Sequence, residues 1–492
     1  TLMRISSRPW AGPDPWSTEH YGPAGIGVGV PLAGQTPRRG DAAPGRHGAG
    51  RMLAGGVPGS LVGVPSDATR SPRMTGPTLT EPSPPAPRLP RSLRAFLDTE
   101  VAGAAALFLA VVVALVWANS PWSASYDELW HTHVSLHVGA WGLDMTLHQV
   151  VNDGLMTVFF FVVGLEIKRE LVEGELSDPR AAAVPAVAAL GGMVVPALLF
   201  VAVNASTGTT RGWGIPMATD IAFALGVLAL VGRRLPGGAK LFLLSLAIVD
   251  DVGAIVVIAV VYSTSIEGPT LLAAAGVLAV IVVVRVAGVR NLVVYVLLGA
   301  LLWDLTFESG VHATIAGVVL GLLTPARSLT PASVARRWAT DLDDEPTAEQ
   351  VATMTTLARS SVSVAERLEY RLHPLSSFVI VPLFALANAG VPLDVGALAD
   401  PAPRAVAIGV LVGLVVGKTV GITGFTWVAV RTGLGRLPEG MRLGHLVGVA
   451  AVAGIGFTVS LFITELAFPG DEVRTAAKTS ILAASVVAAL LG

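Results

Sequence analysis

From about residue 100 onward the chain alternates long apolar runs with short polar gaps. A helix needs about 20 mostly apolar residues to cross the ~30 Å of hydrocarbon in a bilayer. Twelve runs fit, at roughly 101–119, 148–166, 183–203, 213–232, 241–263, 270–288, 292–306, 311–325, 374–392, 404–429, 444–467 and 475–492. Several are short or interrupted by Pro or Gly. The gap after the first run has a different texture. Val134, Leu136 and Val138, then Trp141, Leu143, Met145 and Leu147, alternate with other residues about Gly139-Ala140. Period-two alternation around a small-residue turn predicts a β-hairpin over 134–147, lying on the membrane surface. The pattern therefore predicts an all-α polytopic membrane protein of about 12 transmembrane helices with one small hairpin.

The first ninety residues do not share this pattern. They hold 16 of the 33 prolines and 15 of the 54 glycines, with nine arginines against five acidic residues. Such a segment cannot bury enough apolar surface to offset its ordering entropy. It also lacks the apolar run of a secretory signal. Residues 1–95 are expected to be a disordered tail and 96–492 the transmembrane domain. The chain opens on Thr1, and a start at Met74 is one expectation. The last run ends at Gly492 without a polar tail, which suggests a longer natural C-terminus.

Composition sharpens the class. The chain is 52% apolar and 14% charged, against about 25% charged in ordinary soluble domains. The formal net charge of −2 lacks the basic excess that nucleic-acid binding needs. There is no cysteine, so disulfides, thiol catalysis and cysteine-ligated metals are excluded. Arginine and lysine in the gaps set orientation. Lys168, Arg169 and Arg180 follow the second run, and Arg233, Arg234 and Lys240 the fourth. Arg285 and Arg290 flank the sixth gap, and the long eighth gap, 326–371, carries six arginines. The gap 120–147 has neither residue. Even-numbered gaps and both termini are then cytoplasmic, which puts the hairpin outside. The exception is the eleventh gap, where Arg474 and Lys478 sit outside beside Asp471 and Glu472. The acidic run Asp341, Asp343, Asp344 and Glu345 reads as a solvated face of the long cytoplasmic loop.

An ionised side chain at mid-bilayer costs ~2.5–3.5 kcal/mol on insertion scales, so such residues are functional candidates. Asp153, Asp220, Asp250, Asp251 and Lys418 lie inside the runs, Asp153 the shallowest. Asp250 and Asp251 are adjacent in LAIVDDVGAIVV, and on a helix they point about 100° apart. One can take a cationic partner, naturally Lys418, while the other faces a watery cavity. Like charges this close disfavour double ionisation. The result is a site for protons or a small hard cation, with Thr219 as a further oxygen ligand. The competing reading is an ion-pair network that only locks helices together.

Asp220 sits in GWGIPMATDIAFALG, interrupted at Pro216, and run eleven, VGVAAVAGIGFTVS, is weakened by glycines. Interrupted spans expose half-helix ends at the midplane, where transporters place ion sites. An aspartate there can neutralise the positive ends of helix dipoles. These two runs are an odd number of crossings apart, as an inverted repeat would leave them. GLVVGKT is not a phosphate loop: the spacing is wrong and the run is intramembrane, so no nucleotide is implied. His312 in SGVHATIAG reads more readily as packed or capping than as proton-handling.

At these residues the chain resembles the NhaA-type bacterial sodium–proton antiporters. The matching stretches are VNDGLMTVFFFVVGLEIKREL, GGMVVPALLF, GIPMATDIAFALGVLAL, LAIVDDVGAIVV, SGVHATIAGVVLG, VPLFALANAGV, VGKTVGI and GIGFTVSLFI, in order through 98–492. The resemblance implies an inverted-repeat fold with two broken, crossing helices in the bacterial inner membrane. It implies electrogenic, pH-regulated exchange of cytoplasmic Na+ or Li+ for external H+, serving sodium and pH homeostasis, with no cofactor. Asp251 would be the main cation ligand and proton carrier, holding Na+ or Li+ transiently with Asp250. Asp250 would pair with Lys418, and Asp220 and Thr219 would lie where the broken spans cross, with Asp153 as a supporting charge. Glu166, Arg169, Glu170 and Glu369 would sense pH at the cytoplasmic funnel, with His312 a further candidate, although a surface ion-pair cluster is an equal alternative. The hairpin would sit at a homodimer contact. The chain departs from the family in its long gap 326–371 and in Asp304 and Glu308 near the outer end of run seven.

Other classes fit less well. An intramembrane aspartyl protease places one aspartate in Gly-x-Gly-Asp, and neither Asp220 nor Asp250 has those glycines. A passive channel or a non-transporting membrane protein is the alternative that a flux assay separates.

Overall fold

The computed structural model describes residues 91–492 apart from 140, 232–234, 264–265, 290, 329, 341–345, 394–395, 397–398 and 439. The expected tail lies outside the described residues, except that its last five residues begin the first helix. The acidic run at 341–345 lies outside them too.

The chain enters through α1 (Arg91–Ala118) and a short α2 (Ser123–His131). β1 (His133–Val138) and β2 (Trp141–Thr146) then pair antiparallel, Val134 opposite Met145 and Leu136 opposite Leu143. Gly139 supplies the positive φ of 65° that the tight turn needs. This is the expected hairpin, ending one residue early because Thr146 instead caps the next helix, accepting from Gln149 N while the Gln149 side chain accepts from Thr146 N.

α3 (Leu147–Glu173) and α4 (Pro179–Asn204) follow. Asp178 caps α4, accepting from Arg180 N at 3.0 Å. A 3-10 helix (Thr210–Met217) leads into α5 (Ile221–Val231), then come α6 (Gly237–Val261), α7 (Gly268–Val286), α8 (Leu292–Glu308) and α9 (Thr314–Leu323). α10 (Ala332–Thr340) and α11 (Ala348–Ser360) occupy the long gap. The chain closes with α12 (Val364–Asn388), α13 (Pro401–Arg431), α14 (Leu443–Val452), α15 (Phe457–Ala467) and α16 (Asp471–Leu491).

Among the described residues, eight helices are long and apolar enough to cross a membrane. Two more candidates are bent pairs: the 3-10 helix with α5, at 42°, and α14 with α15, at 47°. α8 and α9 are apolar but only 17 and 10 residues long. The protein is thus a multi-pass membrane protein, mostly helical, with 8 to 10 candidate spans and one two-stranded sheet.

Two features differ from the sequence pattern. α3 runs past its apolar stretch to Glu173, so Arg169 and Glu170 are helical rather than in a gap. α12 begins at Val364, ten residues before the apolar run, with Ser363 capping it through Glu366 N at 3.1 Å. A helix can be amphipathic outside hydrocarbon, and here the face carrying Ala365 and Glu369 is buried while Tyr370 is exposed. The loop expected at 326–371 is therefore largely helical where it is described.

Glycines let the helices close. A Cβ on Gly164, Gly317 or Gly321 would run into backbone across the α3–α9 contact. Gly191 and Gly421 do the same between α4 and α13. Three π-helical turns interrupt long helices, at Val150–Leu155, Ser376–Ile380 and Gly413–Gly417. Such turns redirect the side chains that follow and are frequent at functional sites. The last ends where Lys418 begins, with Gly413 against Pro216 and Gly417 against Pro196.

Candidate functional site

The two bent pairs meet at their breaks. Ala218–Asp220 and Ala453–Gly456 are unwound there. Asp220 N donates to Ile455 O at 2.6 Å, and Thr219 Oγ1 donates to Ala453 O at 2.9 Å. A Cβ on Gly456 would press on Ala218 O and one on Gly454 on Leu414 O, so both glycines are required by close approach. Non-helical backbone is tolerated at membrane depth only where protein buries and satisfies it.

Asp220 caps both half-helices. Its Oδ1 accepts from Phe223 N in the first turn of α5 at 3.0 Å, and its Oδ2 accepts from Thr458 N in the first turn of α15 at 3.0 Å. One buried carboxylate thus sits at two positive helix ends, where backbone N–H groups otherwise lack partners.

Asp250 and Asp251 lie midway along α6 and face different surroundings. Asp250 is buried, and its Oδ2 accepts from Lys418 Nζ at 2.6 Å. Lys418 is itself fully buried and also donates to Thr219 Oγ1 at 2.8 Å. The ammonium therefore joins α6, α13 and the unwound crossing. Two buried charges are costly alone, and a short, hydrogen-bonded pair offsets much of that cost. Asp251, about 100° further round the helix, keeps partial exposure. Among the described residues, no hydrogen bond or ion pair occupies its carboxylate.

A cavity of about 80 Å³ contains the Asp251 side of this cluster, lined also by Thr219, Asp220 and Thr458. Glu166 of α3 and His373, Ser376 and Ser377 of α12 line it too. Just beyond, Arg169 pairs with Glu369 at 2.7 Å, Glu369 being nearly buried. Glu170 is the next residue of α3 after Arg169. The space suits a few waters or a small cation stripped of some of its water, and carboxylate and hydroxyl oxygens line it.

The other expected residues lie apart from Asp251. Asp153 stands in the first π-turn of α3, where its carbonyl accepts from Trp303 Nε1 at 3.0 Å and from Thr157 Oγ1. Its carboxylate is not among the partners of Lys418. His312 Nε2 sits 3.0 Å from Tyr262 O, a packed arrangement separate from the Arg169–Glu369 pair. The GLVVGKT stretch is helical throughout and presents no loop.

The sequence reading does not single out a second charged cluster. Glu465 near the end of α15 pairs with Lys478 and with Arg474 Nη1, the latter at 3.1 Å, both from α16. His148, Asn152 and Asn388 are linked close by. Glu465 and Lys478 fall inside apolar runs 444–467 and 475–492, which is the signal that could have found them. Proximity to the run ends made them resemble ordinary boundary charges.

Residues 94–492 match the family described as Na+/H+ antiporter 1. A Frankia alni protein named Na(+)/H(+) antiporter NhaA 3 is 49% identical over 424 residues, covering 84% of this chain and 92% of that protein. Na(+)/H(+) antiporter NhaA of Rhodopirellula baltica is 46% identical over 424 residues, covering 84% and 94%. Na(+)/H(+) antiporter NhaA 2 of Acidiphilium cryptum is 46% identical over 417 residues, covering 82% and 91%.

Proposed function

The chain belongs to the Na+/H+ antiporter 1 family, transporters rather than enzymes, and from that premise we propose how it exchanges Na+ for H+. Asp251 is the carrier. It binds a proton or a Na+ ion, never both, and the competition couples the two fluxes. The observation that carries this reading is the asymmetry of two neighbouring aspartates: Asp250 is held by Lys418 at 2.6 Å, while Asp251 faces the cavity.

The remaining residues take roles that follow from their contacts. Thr219 and Asp220 complete the oxygen environment, and Asp220 also holds the two half-helix ends together. Asp250 and Lys418 form a second titratable unit, whose protonation during the cycle would carry more than one H+ per cation and make exchange electrogenic. Li+, a smaller ion of the same charge and oxygen preference, is a second substrate. Glu166, Arg169, Glu170 and Glu369 gather at the cavity mouth and set the pH at which exchange begins. Asp153 and His312 support packing of the outer half. No cofactor or nucleotide takes part.

Counting α8 and α9 as crossings brings the spans to twelve, with the bent pairs as the broken members of an inverted repeat. The basic residues Lys168 and Arg169 at the end of α3, Arg180 at the start of α4 and the arginines of α10–α12 support a cytoplasmic face there, with both termini on that side of a bacterial inner membrane. Residues 1–95 form a tail outside the transport domain. On its outer face the hairpin leaves Val134 47% and Leu136 56% exposed, side by side on the sheet, which supports its use as a homodimer contact.

The test is a pH-gradient dye assay in everted vesicles, with sodium, lithium, potassium and choline chloride added in turn across several pH values. Gradient collapse is expected with sodium and lithium only, and Asp251→Asn abolishes it in protein shown to be inserted. Normal exchange by that variant would overturn the assignment of Asp251, and collapse with potassium would point to a channel-like pathway.

A further inference from the structure

Exchange requires the Asp251 cavity to reach each side of the membrane in turn. Here the cavity lies toward the arginine-rich end, where Glu166 and His373 line it. On the opposite side one face of α15 closes the route in successive turns. Thr458 and Val459 still line the cavity. Phe462, one turn on, is buried against Phe160 of α3 and Phe384 of α12, with ring centroids 5.6 and 6.3 Å away. Glu465 follows after another turn. Positions 458, 462 and 465 are spaced i, i+4 and i+7, so they share a face.

Glu465 is 10% exposed at its side chain and is held by Lys478 and Arg474 of α16. Arg474 is shared with Asp471. From α3, His148 lies within electrostatic reach of Glu465, Lys478 and Arg474. Tyr126 of α2 also lies within reach of Glu465. His148 in turn sits 3.2 Å from Asn388 Oδ1 of α12, and Asn388 donates to Asn152 Oδ1 at 2.8 Å. The aromatic layer therefore seats α15 against α3 and α12, and beyond it the ion pairs of Glu465 fasten α15 to α16.

We propose that this face of α15 is the outer gate, and that Glu465 is a positioning residue that holds it shut. The physical case lies in what opening would do to each layer. Parting the aromatic rings exposes apolar surface to water, which is unfavourable. Removing the Glu465 charge would leave Lys478 and Arg474 uncompensated beside α15, so the intact pairs keep α15 and its Phe462 ring seated. The gate rests on the exchange reading and on its sidedness, and the test separates the three.

The chain has no cysteine, so Val459→Cys introduces a single thiol below the aromatic layer. A charged, membrane-impermeant methanethiosulfonate is applied to everted and to right-side-out vesicles. Val459→Cys alone is expected to react readily from the cytoplasmic side and slowly from outside. Adding Glu465→Gln or Phe462→Ala raises the outside rate about tenfold, as expected when a sparsely populated open state becomes common, and leaves the inside rate unchanged. Glu465→Asp restores the slow outside rate. Two results would overturn the gate: an outside rate unmoved by either variant, or rates rising equally from both sides, which signals general loosening. Rapid labelling of the Val459→Cys protein from outside alone would overturn the sidedness. Labelling requires no transport, so a gate that behaves as expected in a protein without exchange would refute the exchange reading alone.

Discussion

Asp250 and Asp251 have the same side chain and adjacent positions, and their surroundings alone separate them. The helix turns one toward Lys418 and the other toward the cavity. Their adjacency, and a lone lysine deep in an apolar run, are visible in the sequence, and so is the inference that one aspartate takes the lysine. Which one does so is decided by the rotation of α6 against α13 and the crossing. The double capping by Asp220 also needs tertiary structure, because Phe223 is local but Thr458 is 238 residues away. Removing one member of a buried pair leaves the other charge uncompensated. Lys418→Ala is therefore expected to destabilise the fold by about 3–5 kcal/mol. A thermal melt of the purified protein checks this, and an unchanged midpoint would rule out a structural role for the pair.

Element boundaries were legible where apolar periodicity ended at a capping residue, and illegible where an amphipathic helix continued beyond hydrocarbon. α12 shows why: its first turns read as loop in hydropathy, yet they bury Ala365 and Glu369 against α3 and the segment after α9. Three π-turns were equally hidden, since one extra residue in a turn leaves no mark on composition. Glycine content was visible, but each glycine's partner was not. Gly421 and Gly424 lie one turn apart on α13, yet a Cβ at Gly421 meets Gly191 backbone while one at Gly424 meets open space. Gly421→Ala should cost about 1–3 kcal/mol through overpacking. Gly424→Ala should be neutral or stabilising by up to about 1 kcal/mol. Melting points of the two variants decide it, and equal shifts would mean that the α4–α13 approach does not limit stability.

For the whole molecule, the hairpin leaves Val134 and Leu136 exposed on one face, and the proposed dimer contact rests on it. Replacing His133–Thr146 by a short Gly/Ser turn is expected to convert dimer to monomer in light scattering, with exchange still measurable. A dimer that persists would place the contact elsewhere. Class, approximate span count and hairpin followed from sequence, because bilayer thickness and the period of a half-buried strand act on every residue locally. The 8 to 10 spans among the described residues fall below the twelve apolar runs because α8 and α9 are shorter than a straight crossing needs. The cluster of Glu465, Lys478, Arg474 and His148 was decided by tertiary structure. Its members come from the consecutive helices α15 and α16 and from the distant α3, and each alone resembles a charge at the end of a span. Sequence determines which groups a membrane must accommodate. The fold decides which of them meet, because a buried charge is stable only beside a partner and hydropathy carries no information about partners.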